Sequence, residues 1–154
     1  MTAIPPSYSP RMLQAIVSAQ QALEHADVPV GALVLDAVGN VIATARNERE
    51  LRQDPTAHAE ILALRAAAQV TGDWQLNGTT LVVTLEPCPM CAGAILASRV
   101  AVVVFGAWDE KAGAAGSMYD LLRDRRMPHR VEVFGGVEEA ACAALLTDFF
   151  QSRR

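Results

Sequence analysis

The stretch VTLEPCPMCAGA, Val83 to Ala94, decides how the rest of the chain is read. Its apolar start reads as the end of a buried strand, which Pro87 closes. Pro89 suits the first turn of a helix, where the amide it lacks would have had no partner. Cys88 and Cys91 therefore fall at a helix N-terminus, three apart on one face, where free backbone amides and the helix dipole favour thiolates. The other half of the site lies upstream in DPTAHAEILALRAAA, Asp54 to Ala68, where a second helix starts and offers His58 and, two residues on, Glu60. Together these side chains predict a three-ligand metal site with a carboxylate beside it.

Working outward, Thr80–Leu85 and Val100–Phe105 are continuous apolar runs, as strands covered on both faces should be. With the CxxC helix between them they predict a strand-helix-strand crossover and so a parallel pair. Upstream, Val28–Leu35 and Val41–Ala45 flank the turn signal Gly39-Asn40 and predict a hairpin. Ser9 and Pro10 mark a first helix with Met12, Ile16, Ala19 and Leu23 on one stripe, ending near His25. Downstream come a glycine-rich loop (Gly106–Gly116), a short helical turn (Met118–Leu122) and a strand (Val131–Phe134). A closing helix carries Cys142, Leu145, Leu146 and Phe149 on its apolar side. This order predicts an α/β fold with three α/β/α layers around a mixed five-stranded sheet. Sites in such folds lie beyond the carboxyl ends of parallel strands, where Cys88 falls.

A chain of 154 residues with 51% hydrophobic content reads as one domain spanning 1–154. No apolar run is long enough to cross a bilayer, and MTAIPPSYSP has neither the basic start nor the apolar segment of a secretion signal, so a cytoplasmic protein is expected. Three cysteines, two of them in the CxxC, argue for metal or redox chemistry over a disulfide framework. The net charge of −4 argues against a broadly basic nucleic-acid binder. Residues 123–154, however, hold six Arg/Lys against five Asp/Glu, while residues 1–122 hold seven against twelve. The C-terminal quarter, with Arg153 and Arg154 at its end, is the basic part.

A catalytic zinc site keeps three protein ligands and leaves the fourth position to water, whereas a structural site closes all four. Only three ligands can be placed here. Cys142 fits the apolar stripe of its helix as a core cysteine, and His25 reads as a helix-end histidine. Neutral His58 and two thiolates cancel the charge of zinc and leave it a moderate Lewis acid. Glu60, beside the metal and off it, could then collect and deliver a proton. Residues two apart on a regular helix point in different directions, so His58 and Glu60 must straddle the metal from the first turn. A lone CxxC is ambiguous between redox, structural and catalytic uses, but HAE joined to PCPMC is the H-x-E…P-C-x-x-C pattern of zinc-dependent nucleobase deaminases.

Along nearly its whole length the chain resembles the bacterial tRNA-specific adenosine deaminases of the cytidine deaminase-like superfamily. The blocks that carry the resemblance are VPVGA (Val28–Ala32), DPTAHAEILALR (Asp54–Arg65), VTLEPCPMCAGA, VFGAWDEKAGAAGS (Val104–Ser117), HRVE (His129–Glu132) and CAALLTDFF (Cys142–Phe150). The resemblance implies His58, Cys88 and Cys91 as ligands of one zinc per subunit, and Glu60 as proton shuttle. It implies a homodimer acting on the anticodon stem-loop of a tRNA, where the wobble adenosine becomes inosine by attack of zinc-activated water at carbon 6. It further implies that Asn47 bonds the flipped base and that Asp109 touches the sugar of the preceding nucleotide. Val28, Pro29, Val30 and Phe149 would wall the base pocket or its entrance, and Arg153 and Arg154 would meet phosphate. Trp108, where relatives often carry a basic residue, and Pro128, where asparagine is common, depart from the pattern. The alternative within the fold is a deaminase of a free base or nucleoside, guanine or cytosine. Outside enzymology it is a zinc-stabilised binding module, and outside metal chemistry a CxxC redox protein.

Overall fold

In the computed structural model, which describes residues 2–153, strand parity divides the core in two. Ala32 and Val34 of β1 (Gly31–Leu35), Leu81 and Val83 of β3 (Thr80–Leu85), and Val103 and Phe105 of β4 (Val102–Ala107) pack on one face. Against them lie α3 (Ala59–Thr71) and α4 (Pro89–Ala97). Leu33, Leu35, Val82 and Val104 point the other way, toward α1 (Tyr8–Gln21) and α5 (Glu139–Gln151). Side chains alternate along a strand, so an unbroken apolar run feeds both layers at once.

The remaining strands, β2 (Val41–Arg46) and β5 (Glu132–Phe134), are the edges of a five-stranded sheet ordered β2-β1-β3-β4-β5. β1 runs antiparallel to β2 and β3, with Gly31 opposite Arg46 and Leu35 opposite Thr80, whereas β3, β4 and β5 are mutually parallel. This register brings the start of β1, the end of β2 and the carboxyl ends of β3 and β4 to one rim. Val28–Val30, Asn47, Cys88 and Asp109 gather there for that reason. Close layer packing needs small residues: a Cβ on Gly31 would lie 2.1 Å from the carbonyl oxygen of Ala15 on α1.

The mixed five-stranded sheet between helical layers is the architecture expected from the sequence, with local differences. α1 starts at Tyr8, with Ser7 at the cap position, two residues earlier than the Ser9-Pro10 signal implies, and passes into a 3₁₀ turn over Ala22–His25. Met118–Leu122 forms no helix; Ala115 and Asp120 make an isolated bridge, which closes the segment on itself. A four-residue helix, α2 (Arg49–Arg52), lies between β2 and α3, where the sequence reading places no element. No helix among the described residues is long and apolar enough to cross a membrane.

Candidate active site

The helix carrying the HAE motif begins at Ala59, about one turn beyond the Asp54-Pro55-Thr56 start that the sequence suggests. His58 is the N-cap of α3 with an extended backbone (φ −71°, ψ 152°), and Cys88 occupies the same position on α4 (φ −75°, ψ 173°). Leaving the helical path at the cap frees His58 from the angular spacing that constrains Glu60. The apparent conflict between two residues two apart is thereby removed. Cys91 lies inside the first turn of α4 and is fully buried.

The Nδ1 of His58 is 3.7 Å from Cys88 Sγ and 3.5 Å from Cys91 Sγ. A zinc ion bonded to nitrogen at about 2.0–2.1 Å and to sulfur at about 2.3 Å, at a tetrahedral angle, would hold the two about 3.6 Å apart. The donor set therefore fits zinc in type and in spacing, and the three ligand atoms lie within 4.8 Å of one another. Among the described residues no fourth His, Cys, Asp or Glu joins the group. Cys142 is packed on the far face of the sheet, His25 Nδ1 is 2.6 Å from the Asp27 carboxylate, and His129 Nε2 is 2.7 Å from the carbonyl of Val100.

The three donors divide their protons unevenly. A hydrogen bond from Cys91, assisted by His58, lowers the Cys88 thiol to about 4. The same contact with Cys88, together with burial, pushes the Cys91 thiol up. The Cys88 contact also raises His58. Beside them Glu60 is only 4% exposed, and burial pushes its carboxyl up against the pull of its own backbone amide and of Cys91. Such a group is suited to carrying a proton rather than a permanent charge.

A cavity of about 170 Å³ opens over these residues, lined mainly by carbon. It is smaller than the roughly 300–1,000 Å³ of sites for drug-sized ligands, and suits a single flat ring system. Val28, Val30, Asn47, His58, Glu60, Cys88 and Asp109, all expected from the sequence, line it. Pro29 is buried outside the lining, and Phe149 is buried on α5 beneath the guanidinium of Arg153, whose Cζ lies 3.9 Å from its ring centroid. Arg153 also donates to the carbonyl of Ala26 at 3.4 Å, which brings the end of α5 beside the chain entering β1. Arg154 lies outside the described residues. Trp108 sits edge-on to Phe105, with centroids 4.7 Å apart, beyond the lining.

Two buried carboxylates hold the cavity walls. Asp27, 1% exposed, receives the amides of Glu50 and Leu51 at 2.7 and 3.1 Å and so ties α2 beneath the Asn47 segment. Asn47 itself donates to the carbonyl of Val28 at 3.1 Å and accepts the amide of Arg49 at 3.2 Å. Glu86, also 1% exposed, faces the loop that carries Asp109. Sequence reasoning missed Glu86, together with Arg49, Leu85, Ala59 and Ala112 in the lining. A glutamate directly after a buried, largely apolar strand was the available signal, because a buried charge must find donors.

The family model for the cytidine and deoxycytidylate deaminase zinc-binding region matches residues 7–107. The chain is 49% identical to the tRNA-specific adenosine deaminase of Bacillus subtilis over 143 residues, covering 93% of this chain and 88% of that protein. It superposes with a TM-score of 0.84 and 38% identity on a solved structure from work on A-to-I editing by tRNA:A34 deaminases at the wobble position, covering 89% of this chain and 99% of that one. A guanine deaminase from Bacillus subtilis is more distant in shape, at TM-score 0.62 with 34% identity over 74% of this chain and 71% of the other. The matched stretch contains His58, Glu60, Cys88 and Cys91 on the elements just described, and the chain belongs to the cytidine and deoxycytidylate deaminase zinc-binding family, alongside its tRNA-specific adenosine deaminases.

Proposed function

We propose that residues 1–154 act as a single zinc-dependent deaminase domain that hydrolyses the wobble adenosine of a tRNA anticodon to inosine, releasing ammonia. The observation that carries this reading is a three-donor zinc site opening, beside a buried carboxylate, into a cavity the size of one base. Zinc held by His58, Cys88 and Cys91 would supply Lewis-acid activation of water. Glu60 takes the proton released there and delivers it to ring nitrogen 1 of adenine, and a second transfer lets ammonia leave. Asn47 bonds the edge of the flipped base between the Val28 and Val30 walls, with Pro29 holding their backbone. Asp109 meets the sugar of the preceding nucleotide, where the 2′-hydroxyl distinguishes RNA from DNA.

An anticodon loop presents its bases already splayed, so little unstacking is required. Phe149 on α5 and Arg153 just past its end lie beside Ala26, where the chain enters β1, and in this reading Arg153 and Arg154 meet the phosphate backbone. The working unit is a cytoplasmic homodimer with one zinc per subunit. Sequencing a tRNA anticodon before and after incubation tests the reading: adenosine-to-inosine conversion at the wobble base supports it, and its absence with zinc-loaded protein refutes it. The second reading, deamination of free guanine, is favoured by the likeness to the guanine deaminase. Ammonia released from guanine, with tRNA untouched, would select it.

A further inference from the structure

Glu86 sits between the last residue of β3 and Pro87-Cys88, and its carboxylate spends all its acceptor capacity on one loop. Oε1 receives the amide of Asp109 at 3.0 Å, Oε2 receives the amides of Ala115 and Ser117 at 3.0 Å each, and the Ser117 hydroxyl adds a short bond to Oε1. All these donors come from the 109–117 segment. The main chain repeats the connection, because the amide of Ala114 donates to the carbonyl of Pro87 at 2.7 Å and that of Glu86 to the carbonyl of Ala107 at 2.8 Å. The fit is close enough to dictate a residue: a Cβ on Gly113 would lie 2.3 Å from the carboxylate carbon.

Stabilising the fold does not by itself call for a charge here. A buried carboxylate is costly unless charge-assisted bonds satisfy it, and an apolar side chain would end an apolar strand at no such cost. What the charge provides is a fixed distance. Glu86 lies two residues from the metal donor Cys88 and bonds directly to the backbone of Asp109, while Glu86, Cys88, Asp109 and Ala112 all border the same cavity.

We propose that Glu86 is a positioning residue, holding the 109–117 loop at a set height over the metal site so that Asp109 and Ala112 form the wall that meets the substrate. The role assigned to Asp109 rests on the deaminase reading, whereas the anchoring of the loop does not. Glu86→Gln keeps the shape but places an amide NH2 among donors and leaves one acceptor atom for groups that used two. The zinc-loaded variant is expected to retain one zinc per chain and a cooperative melt. Hydrogen exchange at the amides of Asp109, Ala115 and Ser117, measured without substrate, should quicken about tenfold or more. With an anticodon stem-loop, KM should rise about tenfold while kcat stays within about threefold. Ser117→Ala, which deletes one donor and keeps the carboxylate, should shift both quantities the same way by less, and it decides the matter if E86Q fails to fold. Unchanged exchange at Asp109 and Ala115 in a folded variant would overturn the proposal, as would a fall in kcat with KM unchanged. If the wild-type protein forms no inosine in tRNA, the functional reading fails, and the exchange measurement still decides for or against Glu86.

Discussion

Cys91 Sγ lies 3.5 Å from Nδ1 of His58, across the gap between the first turns of two helices that enter the structure 30 residues apart. The contact turns two unrelated helix starts into one donor set. Within that set the bond to Cys88 and burial keep a proton on Cys91 that metal has to expel.

Zinc uptake should therefore release protons. The bond to Cys88 and burial keep the Cys91 thiol protonated at neutral pH, while Cys88, lowered to about 4, is already a thiolate. The bound state needs both thiolates, so each pH unit below neutrality should weaken zinc binding about tenfold for each proton displaced. Competition with a chromophoric chelator at several pH values measures the slope. A pH-independent affinity would contradict this proton inventory.

Glu60→Gln should keep one zinc per chain and abolish turnover, with kcat falling about 10²–10⁴-fold, the usual contribution of a positioned acid-base. The sign of its effect on stability follows from the raised carboxyl. A group whose folded value lies above its unfolded one favours the fold while protonated, and loses that contribution as pH rises through the folded value. Above the unfolded value the metal-free protein progressively loses that contribution, whereas a glutamine has no proton to lose. Metal-free E60Q should accordingly melt no lower than wild type at pH 7, as scanning calorimetry can check.

Arg153→Ala should weaken binding to an anticodon stem-loop about equally for matched and mismatched bases, and lower the salt slope of binding by about one unit. A titration of affinity against salt separates this from damage to the pocket, which would alter base preference and leave the slope alone. Because Arg153 also covers the ring of Phe149, Arg153→Lys tests whether charge alone suffices.

Gly31→Ala should destabilise the fold by about 1–3 kcal/mol through overpacking, since the atom it meets at 2.1 Å is helix backbone and cannot rotate away. Urea unfolding gives the value. An unchanged midpoint would mean that α1 lifts from the sheet at no cost.

Much of this was legible in the sequence for identifiable physical reasons. The unbroken apolar runs of β3 and β4 signalled strands covered on both sides, and prolines at 87 and 89 marked the corner that places Cys88. His58, Cys88 and Cys91 were readable because ligand chemistry restricts residue types sharply. What escaped depends on contacts between distant segments. Nothing near Glu86 announces that its partners are amides 23 to 31 residues away, and nothing near Asp27 announces that it ties down α2. The displaced start of α3 was hidden because Asp54-Pro55-Thr56 imitates a cap, whereas its bonds close a local turn, with both the amide and hydroxyl of Thr56 donating to Asp54.

The antiparallel register of β1 has a practical corollary. It carries the hairpin tip around Val38, which is 82% exposed, to the end of the sheet farthest from the metal donors. A fluorophore, affinity tag or whole guest protein spliced in at that tip would ride on the molecule without crowding its chemistry, which makes it a natural handle for immobilisation or fusion.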